Sequence, residues 1–474
     1  MSEKQSVHGI WSSRWTFILA ATGSAVGLGN IWKFPYMAGE NGGGAFVLIY
    51  LVFVATIGLP VMLAEVLLGR RGRSSPINAM HRITREEDAK HFWGGIGWLG
   101  ALAGILILSF YSVIAGWAIA YVVKIVAFGL LSEPDIPGQF GEFVGNAQAN
   151  ILYHTIFMAL TLGVVARGIH KGLESAVRIL MPTLFIMLLG LLGYATTTGS
   201  FGEAAYFMFK FDPEKLTSEA VLSALGHSFF TLSLGMGAIM AYGAYMNKKE
   251  SLGKTVLTIG ILDTLVAMIA GLIIFSIVFA NGLDPAAGPS LMFKTLPMAF
   301  SNMPGGVVLG AIFFTLIVFA AWSSAISLAE PAVAWAVEST KLSRAKAAFL
   351  VGIPTWLLGI ACALSLNEWS EFTILGSSIL DFLDKLTTNV MLPLGGLLIA
   401  IFVGWIMRRS IVTKEVAMKN FTFFNVWVVM VRIVAPAGIA IVMYNSLEDW
   451  VVEIFASDEE QAQVLVVDPD REAS

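Results

Sequence analysis

The chain reads as long apolar runs separated by short polar ones. A run of about 20 residues with few charges is long enough to cross a bilayer as a helix. The pattern predicts eleven such segments, at about 14–37, 45–69, 97–130, 151–166, 173–196, 221–246, 254–283, 306–338, 346–365, 373–407 and 421–446. Several are longer than a span needs, which implies tilt or extension into the loops. The tenth carries Asp381, Asp384 and Lys385 near its start. Two of the runs are interrupted. The first contains Gly23-Ser24-Ala25-Val26-Gly27-Leu28-Gly29-Asn30, and the sixth contains Ser233-Leu234-Gly235-Met236-Gly237. A helix broken inside hydrocarbon leaves backbone groups without partners, at several kcal/mol each. Such breaks persist where an ion and a polar substrate supply the missing partners. Two of them in corresponding places predict a binding site at the membrane midplane.

Composition agrees with a membrane protein: 57% of residues are hydrophobic and 13% charged, against roughly 25% charged in soluble domains. Charge then sets the orientation. With the N-terminus placed in the cytoplasm, the basic loops fall on one side: Arg70 to Lys90, Arg167 and Lys171, Lys248 to Lys254, Lys341 to Lys346, and Arg408 to Lys419. The opposite loops, such as 133–142 and 368–371, are acidic or neutral. The positive-inside rule therefore predicts a cytoplasmic N-terminus, and eleven spans put the acidic tail, 447–474, outside. The loops at 70–96, 131–150 and 197–220 are too short for a soluble domain, and 284–305 reads as a cap over the outer face. No cleavable signal peptide is evident. The single cysteine, Cys362, lies in an apolar run and reads as a small buried hydrophobe. No nucleic-acid partner is expected; the lipid bilayer is.

An unwound segment offers two kinds of ligand. Free carbonyls near Gly23, Ala25 and Val26, with the Asn30 side chain, are hard oxygen donors of the kind sodium takes. Amides near Leu28, Gly29 and Asn30, at the start of the next half-helix, favour a carboxylate. The bland alternative is close packing through small residues at Gly23 and Gly27. Thr231 and Ser233 beside the second break, and Ser323-Ser324 in the eighth run, add hydroxyls. Membrane serines often bond to their own carbonyls, yet two of these clusters flank helix breaks, which favours a shared site. Asp263 lies deep in an apolar run, a functional candidate by default. Lys33 pairs with Asp384 or with Asp381 one turn away, just outside the site. Glu65 and Glu330 read as partners for unwound backbone near the sixth run. The tract from Gly172 to Pro182 weakens the fifth helix, either as a static kink or as a place that unwinds to admit water.

Six motifs occur in order over about residues 9 to 446: GSAVGLGNIWKFPY at Gly23–Tyr36, ENGGGAF at Glu40–Phe46, RGIHKGLE at Arg167–Glu174, MPTLFI at Met181–Ile186, FFTLSLGMGAI at Phe229–Ile239 and KLSRAKA at Lys341–Ala347. The chain in this respect resembles the bacterial neurotransmitter:sodium symporter family, with its LeuT-type fold. The resemblance implies two inverted five-helix repeats, about 14–196 and 221–407, with 421–446 as an extra helix. It implies a first sodium site at Ala25, Asn30, Thr231 and Asp263, and a second at Gly23, Val26, Ala320, Ser323 and Ser324. The substrate carboxylate would meet the Leu28 and Gly29 amides and the Tyr111 hydroxyl. Its amine would meet carbonyls of Ala25, Phe230 and Thr231 and the Ser233 hydroxyl. Ile107, Phe230, Met236 and Leu328 would line the side-chain pocket. Gates would involve Lys33 and Asp384 outside, and Trp11, Tyr245 and Glu338 inside, with His8 where the family has an arginine.

Other departures bear on the anion. Tyr50 matches the family's chloride set, but His227 and Ala267 replace two ligands, and Asp263 stands where an asparagine is usual. The expected function is sodium-coupled uptake of hydrophobic L-amino acids across the bacterial inner membrane by alternating access. Two sodium ions, independence of chloride and a contribution from proton counter-transport belong to that expectation. The alternatives are a carrier of another small carboxylated amine, a sodium channel or a membrane enzyme. For an enzyme, no orienting carboxylate or oxyanion motif accompanies the hydroxyls. Oligomeric state is left open.

Overall fold

The computed structural model describes residues 11–418 and 420–448, apart from the side chain of Pro289. The acidic tail, His8 and Lys419 lie outside the described residues. The chain is all-helical, with no β-strand among the described residues. Nine helices among the described residues are long and apolar enough to cross a membrane. They are bordered by two interrupted segments, which together account for the predicted spans.

In chain order, α1 (Arg14–Ala25) is followed after a break by α2 (29–40). Next come α3 (Gly44–Gly72), α4 (His91–Ala127), α5 (Ala147–Val165) and α6 (Ile169–Ala195). The second interrupted segment is α7 (Ser218–Thr231) and α8 (Ala238–Ala244). The remainder are α9 (Leu252–Ala280), α10 (Gly306–Thr340), α11 (Arg344–Leu364), α12 (Ile379–Ile406) and α13 (Phe421–Glu448). Short side-chain caps start several of them. Ser13 accepts from the Thr16 amide at 3.1 Å, and Thr217 from Ala220 at 3.0 Å, the usual answer to unpaired amides at a helix start.

Boundaries shift from the hydropathy reading where local chemistry intervenes. The tenth span begins at Ile379 rather than 373. Ile374 and Ser377 close a tight turn, and Ser378 caps the helix through the Asp381 amide at 3.1 Å. The 284–305 segment packs against the outer loop helix Ile136–Gly145. Phe293 stacks on Phe140 with ring centroids 5.3 Å apart, and Tyr121 donates to the Phe293 carbonyl at 2.7 Å. The tract from Gly172 to Pro182 is helical throughout, beginning in a π-helical turn over Ile169–Glu174.

The long α4 and α10 lie side by side, and α1, α6 and α8 pack against α10. Both breaks therefore face the interior. The sequence reason for the second break is conformational. Ser233, Gly235 and Gly237 all take positive φ, at 54°, 77° and 74°, a region that glycine enters without steric cost. A Cβ on Gly235 would also stand 2.5 Å from the Leu392 carbonyl oxygen.

Candidate functional site

Each break is held by side chains from other helices. At the first, the chain turns extended at Val26, and the Asn30 side-chain oxygen accepts from the Gly27 amide at 3.0 Å. The Leu28 amide donates to the Tyr111 hydroxyl at 3.2 Å. At the second, the Glu65 carboxylate accepts from the Gly235 amide at 3.1 Å, as its sequence position suggested. The two breaks also touch each other, since the Ser233 hydroxyl donates to the Ser24 carbonyl at 2.9 Å.

The structure brings together three of the four residues named for the first sodium, and joins Ser324 of the second set to the Gly23 and Val26 carbonyls. Asn30, Thr231 and Asp263 converge at full burial: the Asn30 amide nitrogen lies 2.8 Å from Asp263 Oδ1 and 3.1 Å from Thr231 Oγ1. Thr231 donates to Asp263 Oδ2 at 3.1 Å. One detail departs from expectation. Asn30 presents its NH₂ end, not its oxygen, to the carboxylate, because the oxygen is taken by Gly27 and a carboxylate only accepts. An amide turned over would offer the oxygen. In the second set, Ser324 reaches the carbonyls of Gly23, Ser24 and Val26 at 3.3, 3.1 and 3.1 Å. Ser323 bonds back to the Ala320 carbonyl at 3.0 Å. These oxygens, from a broken helix and α10, are hard donors that suit a hard cation.

Between the breaks lies a narrow cavity of about 20 Å³, close to the room a single water takes. Ala25, Leu28, Gly29, Ile107, Tyr111, Phe230, Ser233, Met236 and Leu328, all named from the sequence, line it. Thr231 does not; it faces Asp263 instead. Ser24, Gly27 and Ser324 complete the wall and were not named for it. The Gly27 contribution is steric. A Cβ there would stand 2.5 Å from Ser324 Oγ and 2.8 Å from the Tyr111 hydroxyl. Its lining is mostly apolar, with Leu28, Ile107, Met236 and Leu328 among the walls and the Tyr111 and Ser233 side chains as hydroxyl-bearing members.

The gates are partly as expected. On the outer side, Lys33 makes no ion pair with Asp384 or Asp381 within 4 Å. Its ammonium sits over the Phe230 ring at 4.7 Å, so a cation–π contact replaces the expected salt bridge. Asp381 is drawn off by the Ser378 hydroxyl at 2.7 Å, and Asp384 accepts from Thr388 at 2.9 Å. On the inner side, Trp11 donates to the Tyr242 carbonyl at 3.3 Å, and its amide to the Tyr245 carbonyl at 3.1 Å. Glu338 accepts from the Ser75 amide and hydroxyl and from Asn78, at 2.8, 2.6 and 2.6 Å. Glu330 does not serve unwound backbone. It is fully buried, accepts from the Tyr245 hydroxyl at 2.8 Å and pairs with Arg344. Arg344 was missed because it reads as an ordinary basic loop residue. Glu174, likewise unremarked, gathers Ser12, His170 and Arg178 where α6 begins.

At the position compared with a chloride site, the His227 ring lies 5.5 Å from that of Tyr50 and 5.9 Å from that of Phe34, with neither ring nitrogen hydrogen-bonded. Ala267 is fully buried.

Two interrupted helices facing each other inside a bundle of spanning helices, with oxygen donors beside both breaks, are the architecture of a membrane carrier. The model of the sodium:neurotransmitter symporter family matches residues 8–131 and 140–457, and the chain belongs to that family. It is 36% identical over 452 residues to an uncharacterized sodium-dependent transporter, YhdH, of Bacillus subtilis, covering 94% of this chain and 98% of that one. A sodium-dependent transporter of Haemophilus influenzae is 35% identical, covering 92% and 98%. The crystal structure of MhsT in complex with L-phenylalanine superposes with a TM-score of 0.86 at 41% identity, covering 92% of this chain and 99% of that one. The protein is thus a multi-pass, sodium-dependent transporter, not an enzyme.

Proposed function

We propose that this transporter takes up hydrophobic L-amino acids, driven by two sodium ions and independently of chloride. The observation that carries the substrate class is the cavity between the breaks. Its lining combines the Leu28 and Gly29 backbone and the Tyr111 hydroxyl, where the Leu28 amide now donates to Tyr111, with the apolar side chains of Ile107, Met236 and Leu328. Gly27 has no room for an acidic side chain, so the substrate brings its own carboxylate. The positive-φ tract at Gly235 and Gly237 adds adaptable backbone beside Met236, which suits both aromatic and branched aliphatic side chains. The complex of MhsT with L-phenylalanine supports the same class.

In this reading Ala25, Asn30, Thr231 and Asp263 hold the first sodium. Gly23, Val26, Ala320, Ser323 and Ser324 hold the second. Asp263 supplies the fixed negative charge that an anion would otherwise bring, and its protonation in the returning carrier would make the cycle exchange protons. The substrate amine meets the Ala25, Phe230 and Thr231 carbonyls and Ser233. The two repeats, 14–196 and 221–407, rock around this site, with Lys33 and Asp384 outside it and Trp11, Tyr245 and Glu338 inside. The chain sits in the bacterial inner membrane with its N-terminus cytoplasmic. The deciding experiment is a panel of labelled amino acids bound with and without sodium, with decarboxylated analogues alongside. Sodium-dependent binding of tryptophan, phenylalanine and leucine is expected. Tryptamine binding as well as tryptophan would defeat the assignment.

A further inference from the structure

We infer that α12 and α13 form a site for an anionic phospholipid headgroup at the basic face of the protein. The observation is an arginine inside a spanning helix. Arg432 lies within α13, in the π-helical turn Met430–Val434, and forms no ion pair among the described residues. Its Nε donates to the Gly404 carbonyl of α12, and its guanidinium stacks on Trp405 at 5.5 Å. Trp405 in turn donates to the Arg432 carbonyl at 3.0 Å, which fixes the pair in place. The two outer guanidinium nitrogens find no acceptor among the described residues. A charge within a span is costly unless something neutralises it, and this one is held rigidly without a counter-charge.

A second guanidinium faces the same place. Arg409, just past the end of α12, lines one cleft together with Arg432, and its side-chain partners among the described residues are Asn425 at 2.9 Å and the Phe424 ring at 5.9 Å. The cleft walls between the two arginines are apolar, from Met407, Val412, Phe424 and Val428. Two guanidiniums with no counter-charge, bordering a slot filled by apolar side chains, match a phosphodiester whose acyl chains lie along the apolar helix surface outside, since guanidinium pairs with phosphate through two parallel hydrogen bonds. The surroundings fit a membrane interface. Trp405, Phe421 and Phe423 are 60%, 66% and 68% exposed around the cleft, as aromatic residues are at headgroup level. The occupant is a lipid rather than free phosphate, because the apolar helix surface would add nothing for an inorganic ion. Its leaflet, the cytoplasmic one, rests on the orientation proposed above; the binding itself does not.

The test is native mass spectrometry of the full chain, released from symmetric nanodiscs of phosphatidylcholine with phosphatidylglycerol. Phosphatidylglycerol is expected to stay bound. Arg432→Gln and Arg409→Gln should each weaken it roughly fivefold, from about 1 kcal/mol per basic group near the surface. Arg85→Gln, on the short helix Pro76–Glu86, should leave it unchanged. Arg409→Gln keeps the test valid if Arg432→Gln fails to fold. Equal retention by wild type and both variants would overturn the proposal. So would equal retention of phosphatidylcholine, or displacement of the lipid by millimolar inorganic phosphate. Sodium-dependent tryptophan binding in the same samples reports separately on the transport reading.

Discussion

At the residue scale, the second cation set turns on two hydroxyls of unequal engagement. Ser324 spans three carbonyls of the broken helix, whereas Ser323 bonds only within its own turn. Both oxygens are needed if they ligate sodium, because a hard cation short of oxygens is poorly compensated. Ser323→Ala with Ser324→Ala is therefore expected to abolish sodium-driven uptake; unchanged uptake in proteoliposomes would remove both as ligands. Thr231 sits between Asn30 and Asp263. Thr231→Val should weaken sodium and substrate binding together, read by titrating each at fixed levels of the other. Gly27→Asp is the converse case. The added side chain would collide with Ser324 and Tyr111, and overpacking typically costs about 1–3 kcal/mol. Leucine affinity should fall roughly tenfold or more, by about 1.4 kcal/mol per decade. An affinity unchanged in equilibrium binding would mean that the cavity wall yields there.

At the element scale, the inner ends of α8, α10 and α11 are tied by one buried network. Glu330 of α10 takes the Tyr245 hydroxyl after α8 and the Arg344 guanidinium at the start of α11, whose Nε also reaches the Val165 carbonyl at the end of α5 at 2.9 Å. Removing one member of a buried ion pair leaves the other uncompensated, typically at about 3–5 kcal/mol. Glu330→Gln should therefore lower thermal stability more than the double variant with Arg344→Gln does. Additive losses in the double-mutant cycle would mean that the pair is not coupled. Nothing in hydropathy announced this tie. Glu330 was read as a backbone partner and Arg344 as loop charge, because their meeting requires α10 and α11 to converge at one end.

At the scale of the whole molecule, the two sodium ions of the proposed cycle need their charge balanced. The site carries a fully buried carboxylate at Asp263 beside the first cation set. In a low-dielectric interior a fixed opposite charge stands in for a bound anion. Replacement of chloride by gluconate is expected to leave wild-type uptake unchanged. Uptake that stops on withdrawal of chloride would refute the role given to Asp263. Asp263→Asn with Ala267→Ser should then favour chloride dependence, unless His227, whose ring stands among Phe34, Phe46 and Tyr50, blocks the position.

Much of this protein was legible in its amino-acid order alone. Apolar runs of spanning length, the glycines that break two of them and the hydroxyls beside the breaks are local features, and local backbone preference with bilayer thickness is enough to read them. Nearly the whole cavity wall and both cation sets followed from motif resemblance, and the fold brought most of those residues together. Pairings between distant helices were another matter. Lys33 over Phe230 instead of paired with Asp384, the amide of Asn30 turned toward Asp263, Glu330 with Arg344, and Arg432 on Trp405 all depend on how helices sit beside one another. A side chain selects its partner by distance and direction within about 4 Å. Sequence separation carries no such information, so only the packed helices decided those contacts.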